Sequence, residues 1–426
     1  MDQGNTAFVL ISAALVLLMT PGLAFFYGGM VKAKSVVSMM MLSFGSLGLI
    51  AVLWVLYGYA IAFSNGGEAT FVGIDGWFGI DTSFIGLSAQ VADAAKPAGA
   101  FPSMAFVAFQ ATFAIITVAL ISGAIADRAK FGAWMVFAGL WATIVYFPVA
   151  NWVFNFTLQD GKVVDGGWIV YGLGVIDFAG GTAVHINAGA AGLALAIVLG
   201  KRFGFAKGMS QPHNVPLTLL GTALLWFGWF GFNAGSEVAA DGFASIAFIN
   251  TLAAPAAAML GWIIVEKIKH GKATSIGAAS GAVAGLVAIT PACAVLDPMW
   301  GILLGAIAGA LCALAVDLKF AAGFDDSLDV VGVHLVAGLI GTLYIGLVGN
   351  NVGLFFGHGF DQLVKQTIGC VVVALFAFIA SFTIAWLIEK TIGFRVTSTD
   401  EIAGVDLVQH GEVGYAGSDP RWTWRP

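Results

Sequence analysis

The chain is 426 residues long, 59% hydrophobic and only 10% charged, with a mean hydropathy of +0.93 and a formal net charge of −6. A soluble domain carries about 25% charged residues, so a soluble globular protein is excluded and an integral membrane protein remains. Nothing in the charge balance points to nucleic acid, and the net charge matters less than where the charges lie.

The sequence opens MDQGN, with Asp2 and no basic region, and its first apolar stretch meets no charge before Lys32. That length and flank describe a first membrane span rather than a cleaved signal peptide. Apolar runs bounded by charged or Gly/Pro/Asn-rich breaks predict eleven helices, near 6–31, 36–63, 101–126, 131–154, 178–200, 214–236, 243–266, 275–296, 299–317, 330–349 and 363–390. Segment 65–100, with scattered Asp, Glu and Gly, reads as a long exterior loop. The division is a membrane domain over 1–392 and a cytoplasmic tail over 393–426. The 57 glycines imply helices packed closely through small residues. Cys293, Cys312 and Cys370 lie in or beside apolar segments without metal spacing, and read as small buried hydrophobes.

The basic residues orient these helices. Lys32, Lys34, Arg128, Lys130, Lys201, Arg202, Lys207, Lys267, Lys269, Lys272, Lys319, Lys390, Arg395, Arg421 and Arg425 fall on one side, and only Lys96, Lys162 and Lys365 on the other. The positive-inside rule then places the N-terminus outside and the C-terminus in the cytoplasm.

Two histidines sit in matching phrases, VHINAG around His185 in the fifth helix and VHLVAG around His334 in the tenth, each with an aspartate eight residues upstream, Asp177 and Asp326. An ionised side chain within a span costs roughly 2.5–3.5 kcal/mol on insertion scales and by default marks a pathway. Five helices per half is an odd number, so the halves have opposite orientations. The reading is an all-α integral membrane protein with two inverted five-helix repeats, about 6–200 and about 214–349. Both histidines then lie on the pseudo-two-fold axis near the midplane, and the eleventh helix, about 363–390, straps across the bundle. The residues alone leave two core histidines bonded to backbone carbonyls as the other reading. A metal site has little support, because there is no HExxH and no carboxylate at ligand spacing. His213, His270, His358 and His410 fall in loops or the tail and read as surface residues.

Five stretches carry a resemblance: DFAGGTAVHINAG from Asp177, GWFGFNAGS ending at Ser236, TPAC at Thr290, FQATFA from Phe109 and DVVGVH ending at His334. Together they resemble the ammonium transporter family (Amt/Mep/Rh), in its prokaryotic Amt form, over essentially the whole chain. The resemblance implies that His185 and His334 bond to each other in a narrow apolar pore. It implies that Phe113 and Phe232, otherwise ordinary among 34 phenylalanines, form a stacked gate backed by Phe109. Ser236 matches the hydroxyl of an external ammonium recruitment site. Asp177 reads locally as a helix N-cap, and the resemblance adds a role in recruitment or deprotonation. Where the family's vestibule tryptophan would fall, in ANWVF, this chain has Phe154. Either Phe154 supplies the aromatic wall or Trp152 or Trp168 substitutes, across the inserted stretch NFTLQDGKVVDGG. Asp326 echoes Asp177 in a structural role.

The activity so implied is transport, not enzymatic catalysis, and needs no cofactor. Ammonium is recruited by aromatic faces, deprotonated, and passed as ammonia beside the histidines. The proton either returns outside, giving an electroneutral gas channel, or crosses separately, giving electrogenic uptake. The second is favoured because a bare ammonia pore needs no titratable pair. An ammonium sensor signalling through the tail is the alternative from another class, for which an added signalling domain is expected. A symporter for a larger solute would need more charge at mid-membrane. An intramembrane hydrolase would need a paired nucleophile and base. The tail from Gly393 to Tyr415, with DLVQHGEVGYA from Asp406, resembles the family's regulatory segment rather than a solvated end. The resemblance also implies a homotrimer in the plasma or inner cell membrane, with a PII-type regulatory protein as a possible cytoplasmic partner.

Overall fold

The computed structural model describes residues 2–64, 70–74, 76–94, 101–159, 162–205 and 211–415. Lys96, Lys207, Arg421 and Arg425, which enter the charge argument, lie outside the described residues, as does the tail beyond Tyr415.

Among the described residues ten helices are long and apolar enough to cross a membrane, and one further apolar helix is shorter. In chain order they are α1 Gln3–Met30, α2 Val36–Ala62, α3 Ser103–Ile125, α4 Phe131–Phe154, α5 Gly181–Leu199 and α6 Val215–Glu237. There follow α7 Gly242–His270, the shorter α8 Ser275–Ile289, α9 Pro298–Ala322, α10 Val331–Val348 and α11 Asp361–Thr391. Local sequence sets their ends. Asp2 accepts from Asn5 N at the start of α1, Asn214 from Leu217 N at α6, Asp241 from Phe243 N and Ala244 N at α7, and Thr274 from Gly277 N at α8. The eighth helix stops at Ile289, earlier than the expected 296, because the chain turns at Thr290 ahead of Pro291.

α5 is the most enclosed helix, 83% buried along its apolar stretch, against 33% for α7 and α11. Leu252 and Ile264 on α7, and Leu375 and Ile379 on α11, are exposed. So broad an apolar exterior suits lipid rather than water. The glycines act as expected where helices meet: a Cβ on Gly305 of α9 would sit 2.0 Å from the Ala254 carbonyl oxygen of α7. The three cysteines are free and buried.

The segment read as a long loop carries structure. β1 Phe71–Ile74 pairs antiparallel with β2 Phe78–Asp81, followed by a short helix, Ser88–Ala94. A second hairpin, β3 Phe156–Gln159 with β4 Lys162–Gly166, occupies the inserted stretch after α4. Both lie at the end of the bundle that holds the C-terminus of α4.

At the opposite end, charged groups knit the helix connections to the tail. Arg128 is fully buried, donating to the Asp325 carbonyl at 2.5 Å and to the Ser327 hydroxyl. Arg202 pairs with Asp325 at 2.8 Å and Asp127 at 3.1 Å. Arg395 donates to Leu199 O at 2.9 Å and pairs with Glu401, whose other oxygen accepts from Phe203 N. Asp406 accepts from Val37 N and Ser38 N. The tail to Tyr415 is therefore bonded to the bundle.

His213 corrects the surface expectation. Its Nδ1 donates to Val31 O at 2.8 Å, which leaves Nε2 to accept from the Tyr415 hydroxyl at 2.7 Å. His410 is also half-buried, its ring 5.4 Å from that of Phe131.

Candidate functional site

Asp177 precedes α5 and caps it. Its carboxylate accepts from the backbone N–H groups of Gly180 (2.8 Å), Gly181 (2.6 Å), Thr182 (2.8 Å) and Ala183 (3.3 Å), and from the Thr182 hydroxyl. These are the donors a helix start leaves unpaired. α5 then opens with a π-helical turn, Gly181–Ile186, and α10 opens with another, Val331–Leu335. Each contains one of the two histidines. At the second, Asp326 accepts from Val331 N at 2.7 Å, a sparser version of the same cap. Wide turns of this kind often accompany functional sites, but three more, Trp54–Gly58, Ala142–Tyr146 and Trp168–Gly172, occur among the described residues, so the turn alone does not mark the histidines.

The two turns bring the histidines together. His185 Nδ1 and His334 Nδ1 are 3.3 Å apart, with ring centroids 5.4 Å apart and planes 14° from parallel. The residues are 1% and 3% exposed, so the pair is out of bulk water. A bond between two Nδ1 atoms requires one ring to carry its proton at Nδ1 and the other at Nε2. The pair then offers one Nε2 donor and one Nε2 acceptor. His185 Nε2 has no partner among the described residues.

Trp229, which sequence reading did not single out, stacks on His185 at 5.4 Å and 18°. Its indole N–H donates to the Thr290 hydroxyl at 2.9 Å, and Asn233 lies 3.2 Å from the same hydroxyl. Aromatic residues at helical spacing are too common here for position alone to mark Trp229.

Phe113 of α3 and Phe232 of α6 are stacked, 4.2 Å between centroids and 22° between planes. Phe109 meets Phe113 edge-on at 4.9 Å, and Phe232 lies 6.0 Å from the His185 ring. All three phenylalanines are buried. The stacked pair therefore adjoins the histidines on one side. A cavity of about 800 Å³ lies near the pair, lined by Phe154, which meets Phe113, by Ser236, which bonds Phe232 O, and by Phe106, Gln110, Tyr171, Asp177 and Glu237 among others. The Ser236 hydroxyl donates to Phe232 O at 2.7 Å, so its lone pairs remain for an N–H donor.

The three vestibule aromatics separate here. Phe154 lines the cavity and meets the Phe113 ring at 6.0 Å and 79°. Trp152 does not: it is 3% exposed, donates to Trp77 O at 2.8 Å and packs on Phe376 at 4.9 Å. Trp168 stacks on Trp77 at 5.5 Å, in the same cluster beside the cavity. The chain thus joins an aromatic chamber with oxygen acceptors, a double phenylalanine plug and a buried pair of imidazoles. Such a series suits a small cation that sheds a proton and continues as a neutral, hydrogen-bonding molecule.

A family model described as the Ammonium Transporter Family matches residues 7–415. The chain is similar to a Mycobacterium bovis protein named "Ammonium transporter", 54% identical over 434 residues, covering 97% of this chain and 90% of that one. Among solved structures it is similar to one described as "Sensor Amt Protein", with a TM-score of 0.85 at 27% identity, covering 96% of this chain and 98% of that one. It is also similar to Mep2 of Candida albicans, with a TM-score of 0.84 at 31% identity, covering 99% of this chain and 92% of that one.

Proposed function

The chain belongs to the ammonium transporter family, and from that premise we propose that it takes up ammonium by deprotonating it at the outer mouth and conducting ammonia past His185 and His334. The stacked Phe113–Phe232 pair next to two mutually bonded, buried histidines is the observation that carries this reading. A hydrated cation does not fit between stacked rings, and desolvating it without acceptors is costly. Ammonium escapes that cost by giving up its proton, which crosses separately from the ammonia. Potassium, close to it in size, cannot.

In this reading Ser236, Phe154 and the field of Asp177 hold the cation outside the gate formed by Phe113 and Phe232 and backed by Phe109. Fluctuation of the phenylalanines admits ammonia. The histidine pair then presents one donor and one acceptor, which match the lone pair and N–H groups of ammonia, while the apolar wall excludes ions. Because each imidazole can exchange donor and acceptor roles, the pair also relays a proton. Uptake is then electrogenic, in preference to an electroneutral ammonia channel.

The same reading gives eleven crossings, with the N-terminus outside and the C-terminus in the cytoplasm. At 1.5 Å per residue α8 rises about 22 Å, short of a bilayer core of about 30 Å. The turns from Thr290 to Val295 complete its crossing. The membrane domain is 1–392, with inverted repeats about 6–200 and about 214–349 and the eleventh helix about 363–390. The tail 393–426 is regulatory. Assembly is a homotrimer in the plasma or inner membrane, with a PII-type protein as cytoplasmic partner. Sensing is the second reading, favoured by the similarity to the structure described as "Sensor Amt Protein".

Reconstitution into proteoliposomes containing a pH dye tests the proposal. An inward ammonium gradient is expected to change internal pH faster than in empty vesicles, while potassium gives no change. Identical pH traces with and without protein, together with no ammonium-driven charge movement, refute transport and favour sensing.

A further inference from the structure

Asp177 is the acid on which cation recruitment relies, yet both of its oxygens are taken up by the cap of α5. Its charge reaches the vestibule only as a field, reduced by the donors around it. Phe154 contributes a ring with weaker cation–π attraction than an indole. A full charge in direct reach of the cation must come from elsewhere.

Glu237 lines the same cavity, one residue beyond Ser236. The long helical run of α6 ends at Ala234, and Gly235–Glu237 forms a tight terminal turn. Val238 closes it with φ 52°, a left-handed conformation that a β-branched residue adopts only under constraint. Across the cavity, Gln110 of α3 is 7% exposed, and its Oε1 has no hydrogen-bond partner among the described residues. A buried carbonyl oxygen in that condition is an acceptor waiting for a donor. Among the described lining residues there is no lysine or arginine, although Lys365 Nζ comes near Gly174 at the rim; the Glu237 carboxyl hydrogen-bonds that of Asp241, so the two acids share a proton and keep a negative charge between them.

We propose that Glu237, as one member of a hydrogen-bonded carboxyl pair with Asp241, supplies the anionic ligand of the outer cation site, accepting N–H directly from ammonium together with the Ser236 hydroxyl and Gln110 Oε1. This rests on the transport reading above and names a residue within it. Ammonium has four N–H groups in tetrahedral array. A carboxylate, a hydroxyl, an amide oxygen and the Phe154 face satisfy all four. An anionic residue here also offsets the loss of attraction from having phenylalanine instead of tryptophan in the wall.

The test is the ammonium dependence of transport in proteoliposomes for wild type, Glu237→Gln, Glu237→Asp and Gln110→Leu, with thermal stability measured alongside. Glu237→Gln is expected to raise the half-saturating concentration about tenfold while lowering the maximal rate by no more than about twofold. Glu237→Asp keeps the charge and is expected to stay within about threefold of wild type, whereas Gln110→Leu shifts half-saturation a few-fold upward. An unchanged half-saturation in Glu237→Gln overturns the proposal. So does an equal loss of maximal rate in the Gln and Asp variants at unchanged half-saturation, which marks a purely structural turn. Absence of ammonium-driven transport in the wild type overturns the transport reading instead.

Discussion

Gly189 follows His185 by four residues, as Gly338 follows His334, and the structure gives the two glycines unequal tasks. A Cβ on Gly189 would lie 2.4 Å from Leu335 N, 2.6 Å from Leu335 Cβ and 2.7 Å from Leu335 Cα. Ordinary contact begins near 3.4 Å, so α5 and α10 must part by about 1 Å, and the obstacle is largely backbone that no rotamer change clears. Overpacking of this kind costs about 1–3 kcal/mol. The same displacement stretches the 3.3 Å Nδ1–Nδ1 contact to about 4.3 Å, beyond hydrogen-bond reach. At Gly338 the nearest atoms are Ile186 Cγ1 at 3.0 Å and Gly181 O at 3.2 Å, a clash that a side chain relieves in part. Gly189→Ala should therefore lose most ammonium transport and melt well below wild type in detergent, while Gly338→Ala loses less on both counts. Equal effects, or a Gly189→Ala variant with wild-type transport, would refute the argument that this close approach sets the histidine contact.

Phe154→Ala should raise half-saturation about fivefold through the lost cation–π attraction of about 0.5–2 kcal/mol. Trp152→Ala should instead destabilise by about 3–5 kcal/mol with half-saturation unchanged, as expected for a buried packing residue; thermal melts and uptake kinetics separate the two. Burial alone raises the Asp325 carboxyl, but hydrogen bonds and charge from Arg202, with Arg128 beside it, bring it below its ordinary range. A depressed carboxylate stabilises the fold above its unfolded value near pH 4 and loses that contribution as pH falls through the folded value. Stability measured against pH should fall in that acid window, and Asp325→Asn should cost about 3–5 kcal/mol at pH 7, because it removes the carboxylate beside buried Arg128 and leaves Arg202 only Asp127 of its two carboxylate partners. Tyr415→Phe removes a bond to His213 worth about 1 kcal/mol, so limited proteolysis should cut the tail faster than in wild type.

Sequence showed the helices well because each apolar run is longer than a soluble core helix needs and ends at charge or Gly/Pro. It also showed both histidines, since their phrases repeat. The π-helical turns that present them were not legible, because hydropathy does not distinguish i→i−5 from i→i−4 bonding. The hairpins β1–β2 and β3–β4 were missed although Asp75-Gly76 and Asp160-Gly161 carry a hairpin turn signal; their strands are only four or five residues long. Phe154 against Trp152 and Trp168 depended on which ring turns toward the cavity, a question of helix rotation that spacing leaves open. His213 looked like a loop residue because its partners, Val31 and Tyr415, are 182 and 202 residues away in sequence.

The most direct test is charge movement across proteoliposomes on a solid-supported membrane, pulsing ammonium and then potassium over wild type and His185→Ala. The account predicts a current in wild type with ammonium alone, lost or made potassium-permeable in the variant. Ammonium-driven internal alkalinisation without current would contradict it and mark a passive ammonia channel.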